Sequence, residues 1–378
     1  TDGEGMCAPA LPQSRGSCRR AMMRDVVEVL GASLPGKEDL VVPERDAARA
    51  VDARANVNHG GGPEGVVEEL LLSGAHDLHR PADVKLRIAQ ITDMHVPGEV
   101  ELSTRLRDFM NPNQSFGEVS HLVNAIANQL NHRYRSARRL YTNLLKKALV
   151  GLRVLDVDHL IIPGDLVHCG LAPEFIEMRA VLDVTGWSTP EELTIVPGNH
   201  DRFNLYERLP SEPMEKYFDV VSSREPRVKM LPQGVALVEL DTNRDRFDDR
   251  HFAESFMPNS VGKIYAEELE FIEKQQSMTR GMRSVMVLHH HISDDWHGLN
   301  IESVGGLMNP AEGVEDFLAA SELLDPHALI LHGHKHQLLR VDYTFGSHKV
   351  GCPGAFHDHL YMNIVDFNVH DEITMTQI

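Results

Sequence analysis

Leu86-Arg87-Ile88-Ala89-Gln90-Ile91-Thr92-Asp93-Met94-His95 is an apolar, strand-like run that ends on a carboxylate and an imidazole. The same arrangement returns four times along the chain. His159 to Ile162 precedes Gly164-Asp165, Leu193 to Val196 precedes Gly198-Asn199-His200-Asp201, Ser284 to Leu288 precedes His289-His290-His291, and Ala328 to Leu331 precedes Gly333-His334-Lys335-His336. Short apolar runs of this kind, several with Gly or Pro close by, predict strands. The polar blocks therefore fall at strand ends. In an α/β sheet those ends share one edge, where loops far apart in sequence can surround one ligand.

The residue types suit a pair of metal ions. Two divalent cations about 3.5–4 Å apart can clamp the attacking and leaving oxygens of a phosphoryl group and can acidify a bridging water at neutral pH. Such a pair needs a carboxylate that spans both ions, and Asp165, turned tightly after Gly164, is the candidate. Imidazole nitrogen, carboxylate oxygen and one amide oxygen fill the other positions. That donor set fits manganese, iron, zinc or cobalt better than calcium. No Cys belongs to it, which argues against a structural thiolate zinc site.

In order and in residue type, the five blocks resemble the calcineurin-like metallophosphoesterase superfamily, whose pattern is D-x-H, G-D, G-N-H-D/E, H and G-H-x-H. The likeness spans roughly residues 85 to 370. It implies that Asp93, His95, Asp165 and His336 hold a first metal, and that Asp165, Asn199, His289 and His334 hold a second. It implies that His200 is a catalytic histidine outside the ligand set, hydrogen-bonded to the phosphate and assisting the leaving oxygen. The implied fold is α/β, a four-layer α-β-β-α sandwich of two mixed sheets with helices outside. A lone His beside a strand is ordinarily a hydrogen-bonded side chain. The metal reading rests on the seven residues together.

Two departures from the family pattern stand out. Many relatives carry an acidic or amide residue three positions after the bridging Asp, where it can orient the catalytic histidine; here that position is His168. The fourth block continues His290-His291-Ile292-Ser293, without the Pro common in small-molecule phosphodiesterases. His290 and His291 are read either as supports behind the ligands or as exposed residues.

Composition narrows the function classes. The chain has 378 residues, 42% of them hydrophobic, enough for one large domain with an appendage. Its 37 basic and 56 acidic residues give a formal net charge of −19, which opposes general binding to a nucleic-acid backbone. No apolar run approaches the roughly 20 residues that span a bilayer, and no secretory signal pattern stands out near residue 1. Cys7, Cys18, Cys169 and Cys352 lack framework spacing. Reduced thiols and a cytoplasmic location, peripheral to a membrane at most, are the expectation.

Three regions separate along the sequence. Residues 1–84 contain helix-like stretches near Arg20–Leu30 and Gly65–Leu72 but no catalytic block, and are read as an accessory extension, partly disordered or draped on the core. Residues 85–378 read as the catalytic domain, with helices at Pro173–Leu182, Tyr265–Ser277 and Val314–Leu324 and late strands at Gln337–Thr344 and Tyr361–Asn368. An insertion at about 99–156 is the third. From Val119 to Leu155 it has no acidic residue, yet it holds Arg133, Arg135, Arg138, Arg139, Lys146, Lys147 and Arg153. Leu122, Ile126 and Leu130, then Leu140, Leu144 and Ala148, recur at four-residue spacing, which predicts amphipathic helices. Such a segment is either a solvated basic face or a cap that supplies arginines to an anionic substrate or lipid headgroup; Tyr134 and Tyr141 are either core or interfacial.

A small-molecule phosphoester is the expected substrate. The Gly164–Gly170 block followed by Ala172-Pro173-Glu174-Phe175 resembles phosphodiesterases of cyclic nucleotides or glycerophosphodiesters. The long basic insertion resembles instead the enzymes that split UDP-diacylglucosamine at its pyrophosphate in lipid A synthesis. Some superfamily members are binding scaffolds that have lost catalytic residues; retention of His200 with every expected ligand favours an enzyme.

Overall fold

In chain order the elements are β1 (Val84–Gln90), α1 (Arg138–Val154), β2 (His159–Ile162), α2 (Ala172–Val184), β3 (Leu193–Ile195), a 3₁₀ turn (Met214–Lys216), β4 (Arg227–Leu231), β5 (Val235–Glu239), α3 (Ala266–Gln275), β6 (Arg283–Val287), α4 (Val314–Leu324), β7 (Leu329–Leu331), β8 (Thr344–Phe345), β9 (His348–Gly351), α5 (Phe356–His359), β10 (Asn363–Asn368) and β11 (Ile373–Gln377). This computed structural model describes residues 80–96, 138–168, 170–202, 214–221, 225–243, 262–292, 313–336 and 344–378. The helix-like stretches at Arg20–Leu30 and Gly65–Leu72, Cys7, Cys18, Cys169, Tyr134 and residues 99–137 of the insertion lie outside the described residues.

Two mixed sheets form. One runs β11-β10-β1-β2-β3 and the other β4-β5-β6-β7-β9-β8. The strands before the five polar blocks all pair in parallel: β1 with β2, β2 with β3, and β6 with β7, with β5 and β9 parallel on the outer sides of β6 and β7. Parallel strands covered on both faces are apolar throughout, which is why these runs stand out in sequence. Their alternate residues feed separate cores. Leu86, Ile88, Ile161, Val285, Val287, Leu329 and Leu331 meet between the sheets. Leu160 and Ile162 face Tyr141, Leu145, Phe175 and Met178 on α1 and α2. Met286, Leu288 and Ile330 face Ile272 of α3 and Phe317 of α4. Three cores between four layers give the sandwich implied by the family resemblance.

One polar side chain crosses the middle of that sandwich. Gln90 donates from Nε2 to the carbonyls of His332 at 2.9 Å and Gly351 at 3.0 Å, while its Oε1 accepts from Asn363 Nδ2 at 3.0 Å. A fully satisfied buried amide fixes the register of one sheet against the other at low cost. Arg87 adds a bidentate pair across strands, with Nε and Nη2 at 2.7 and 2.8 Å from the two Asp366 oxygens.

The described part of the basic insertion is α1, the crossover between β1 and β2. Its buried stripe is Tyr141, Leu145, Ala148, Leu149 and Leu152; of the expected apolar positions, Ala148 is buried and Leu144 half-buried. The Tyr141 hydroxyl donates to the Met94 carbonyl, so the helix is turned to present that ring to the sheet. Arg153 is spent on the fold as well: its guanidinium lies 3.5 Å from the Trp187 ring centre and 2.7 Å from Glu192. Ahead of β1, Arg80 pairs with Asp158 at 2.9 Å. No helix among the described residues is long and apolar enough to cross a membrane.

His159, at the start of β2, gives the fold a dependence on pH. It is buried, with Nδ1 donating to the Glu191 carbonyl and Nε2 facing the Thr194 hydroxyl, both at 2.9 Å. Burial, with help from Lys229, pushes its pKa down to about 3. The unfolded ring takes up its proton near the ordinary value, so this contribution is complete above that value and is lost as pH falls toward 3. The slope reaches at most about 1.4 kcal/mol per pH unit. In urea denaturation, His159→Gln should therefore lose stability less steeply than wild type as pH falls from about 6 to about 4. Parallel curves would contradict this origin.

Candidate metal centre

All five polar blocks meet at one edge of the sandwich because the loops after the strands continue the parallel pairing. Asp93 and His95 donate their amides to the carbonyls of Gly164 and Asp165 at 3.2 and 3.0 Å, and Gly333 donates to the His289 carbonyl at 3.0 Å. Asp201 ties the second block to the third: one oxygen accepts from Val167 N at 3.1 Å, the other from Gly198 N at 2.9 Å. The fit is close. A Cβ on Gly198 would stand 2.2 Å from Asp165 Oδ1, and one on Gly333 would stand 2.1 Å from Thr92 Oγ1. Asp93, His95, Asp165 and His334 all have positive φ, between 46° and 68°. Side-chain-bearing residues seldom occupy that region, and where they do the surroundings hold them there for function.

The expected ligands fall into two groups. Asp93, His95, Asp165 and His336 place one donor atom each within 4.8 Å of one another. His95 Nε2 is 3.2 Å from His336 Nε2 and 3.6 Å from Asp165 Oδ2, and His336 Nε2 is 3.7 Å from Asp93 Oδ1. In the second group, Asn199 Oδ1 lies 2.9 Å from both His289 Nε2 and His334 Nδ1, and His289 Nε2 lies 3.5 Å from Asp165 Oδ1. Donors sharing one ion through bonds of about 2.0–2.2 Å stand about 3–3.5 Å apart. The geometry therefore fits metal ions. His289 is also set for the task, since its Nδ1 donates to the Pro163 carbonyl at 2.7 Å and leaves Nε2 as the acceptor.

Residues 86–338 match the sequence model of the calcineurin-like phosphoesterases. The chain belongs to that family. It is a metal-dependent phosphoric ester hydrolase, and the family implies a dimetal centre. A dimetal phosphatase from Danio rerio has a similar fold, at 14% identity and a TM-score of 0.51, over 78% of this chain and 96% of that one. A calcineurin-like phosphoesterase from Bacillus subtilis aligns at 15% identity and a TM-score of 0.38, over 78% of this chain and 90% of its own. No curated protein is significantly similar in sequence.

The electrostatics of this phosphoesterase edge also suit cations. Burial pushes Asp93 up to about 6 and holds Asp165 well above the carboxylate range, with Asp93 and Asp201 adding to the rise at Asp165. His95, His289 and His334 are pushed well below the imidazole range, chiefly by burial and then by neighbouring histidines. Neutral imidazoles and desolvated carboxylates are the protonation partners that divalent cations draw toward ligation.

His200 stands beside the first group, its ring centre 4.5 Å from that of His95. Its amide donates to Asp165 Oδ1 at 2.8 Å, and its Nδ1 donates to the main-chain carbonyl of His168 at 2.7 Å. The substitution at residue 168 therefore leaves the orientation of His200 intact, because the backbone performs it. His290 and His291 are buried rather than exposed, with ring centres 4.6 and 5.7 Å from His334, as supports behind that residue. Sequence reading missed His357, which lies 4.7 Å from His95 and 5.0 Å from His336 between ring centres. No motif announced it. Cys352 is buried and unpaired, and the Glu174 carboxylate accepts from Leu171 N at 3.1 Å, so the phosphodiesterase-like Ala172-Pro173-Glu174 segment serves to start α2. Gly198→Ala should displace the Asp165 carboxylate and lower bound metal below two ions per chain while circular dichroism stays native; an unchanged metal content would contradict the close fit.

Proposed function

We propose that this phosphoesterase hydrolyses a phosphodiester or pyrophosphate bond of a small molecule at a binuclear site. Asp93, His95, Asp165 and His336 hold the first ion and Asp165, Asn199, His289 and His334 the second. The observation that carries the reading is the Asp165 carboxylate, whose Oδ2 faces His95 and whose Oδ1 faces His289 at 3.6 and 3.5 Å. A donor shared by two ligand sets is the bridge that such a pair requires. Bound there, two divalent ions supply Lewis acidity toward phosphoryl oxygens and lower the pKa of water toward neutrality. Manganese, iron, zinc and cobalt all suit the donors.

The protein's own part in the reaction centres on His200. Because a carbonyl can only accept, Nδ1 keeps its proton and Nε2 is the nitrogen open to exchange. A proton carried on Nε2 would pass to the departing oxygen, or would stabilise phosphoryl charge, while the His168 carbonyl holds the ring in place. The small-molecule reading is supported by the likeness of the second block to phosphodiesterases and by the −19 net charge, which disfavours polyanionic partners. Cyclic nucleotides or glycerophosphodiesters fit it better than a lipid-linked UDP substrate, because the described part of the basic insertion is a crossover helix buried on the sheet. The test is hydrolysis by the metal-loaded chain of bis-p-nitrophenyl phosphate, p-nitrophenyl phosphate, cyclic nucleotides, glycerophosphodiesters and UDP-linked lipids. Activity confined to the monoester would overturn the diester reading.

Two substitutions separate ligand from catalyst. Asp165→Asn should reduce metal content and cut turnover by orders of magnitude without unfolding the chain; normal values of both would remove Asp165 from the bridge. His200→Ala should retain both ions and lose roughly 10²–10⁴ in kcat. That loss should be smaller for p-nitrophenyl esters, whose leaving group needs little protonation, and equal losses on alkyl and p-nitrophenyl esters would exclude the leaving-group role.

A further inference from the structure

The short helix α5 lies against the first and fifth blocks, and each of its four residues touches one of them. Phe356 donates its amide to the Thr92 carbonyl at 3.0 Å, and His357 Nδ1 donates to the Asp93 carbonyl at 2.9 Å. Asp358 Oδ2 is 3.3 Å from His336 Nδ1, and His359 Nε2 donates to the His336 carbonyl at 2.7 Å. The Asp358 carboxylate has a second neighbour, His357 Nε2, 3.2 Å from Oδ1. A closed circuit results: Asp93 main chain to His357, to Asp358, to His336, and from His336 Nε2 back to Asp93 Oδ1.

His336 needs such a circuit more than any other expected ligand. Its side chain is 40% exposed, whereas those of Asp93, His95, Asp165 and His289 are at most 2% exposed. A half-exposed imidazole on a loop beyond β7 has rotational freedom to lose on binding a metal. An acceptor at Nδ1 removes that freedom and fixes Nε2 as the nitrogen facing Asp93 and His95. A carboxylate in that place also makes the imidazole a better donor than a carbonyl would. His289 has only the Pro163 carbonyl, but it is enclosed on all sides and needs less.

We propose that Asp358, braced by His357, is the positioning residue of the first metal, setting the affinity of that ion through His336 while leaving the second ion untouched. The inference rests on the binuclear assignment above. It makes the two ions unequal: the first is the exchangeable one, and its retention depends on a residue outside the five motif blocks.

The test is titration of the metal-free, full-length chain with Mn(II) by calorimetry against a competing chelator, with electron paramagnetic resonance to separate coupled pairs from single ions. Wild type should bind two ions. Asp358→Ala should weaken one site by about 10–100-fold and leave the other unchanged, so that single-ion spectra appear at stoichiometric Mn(II). Asp358→Glu should recover part of that loss, and His357→Ala should lose less than Asp358→Ala. Native circular dichroism and an unchanged thermal midpoint in the metal-free variants accompany this outcome. A titration of Asp358→Ala like that of wild type would overturn the proposal, as would equal weakening of both sites with a lowered thermal midpoint, which marks a purely structural role. Wild type that binds fewer than two ions would overturn the binuclear assignment itself, and this inference with it.

Discussion

Asp165 is a carboxylate buried among imidazoles, and its burial organises the surrounding edge. Removing such a group from water is costly unless opposite charge compensates it. The family implies a dimetal centre, whose cations would offset that cost, and the chain builds rigidly around the spot. Gly198 and Gly333 have no side chain because none would fit. Four candidate ligands are held at positive φ, and Asp201 clamps the neighbouring turns by two amides. These features pre-organise the edge, so that little reorganisation would be left for binding a metal.

The legible parts of the sequence were those in which chemistry and packing act on the same short run. Parallel strands buried on both faces must be apolar, so β1, β2, β3, β6 and β7 could be read from the chain, and the expected ligands that follow them meet at one edge, with Asp93, His95, Asp165 and His336 within 4.8 Å of one another. Helices α2, α3 and α4 were found within one to two residues at most ends, since turn residues and apolar spacing mark them. What escaped was whatever a backbone or a distant segment supplies. A carbonyl is available at any residue type, so nothing at position 168 revealed that its main chain, and not its side chain, would orient His200. His357 and Asp358 belong to no motif and reach the centre only because β9 and β10 bring α5 back to the first block. On α1, four-residue spacing predicted the helix but not its full buried face, which is centred on Tyr141, Leu145 and Leu149 and anchored by the Tyr141 hydroxyl bond to the Met94 carbonyl, between residues 47 apart.

The structural likeness to the zebrafish dimetal phosphatase at 14% identity shows how little of the chain the fold requires. Strand ends at one edge are what places the five polar blocks together in this fold. Membership of the family gives the class of reaction and leaves the alcohol portion of the ester open.

Strand β10 lies between β1 and β11, so the strand bearing the first ligands is flanked on one side by one of the last strands in the described sequence. During synthesis, β1 leaves the ribosome nearly 280 residues ahead of its partner at Asn363–Asn368. Until then, one edge of β1 has unpaired amides and its apolar residues have only half their cover, a state that invites association with other chains. Pairing across that separation is slow to find. The pairing of β1 with β10 can therefore form only once nearly all of the described sequence has been made. Any ion captured early by the Asp93 and His95 loop would be held without the second half of its circuit.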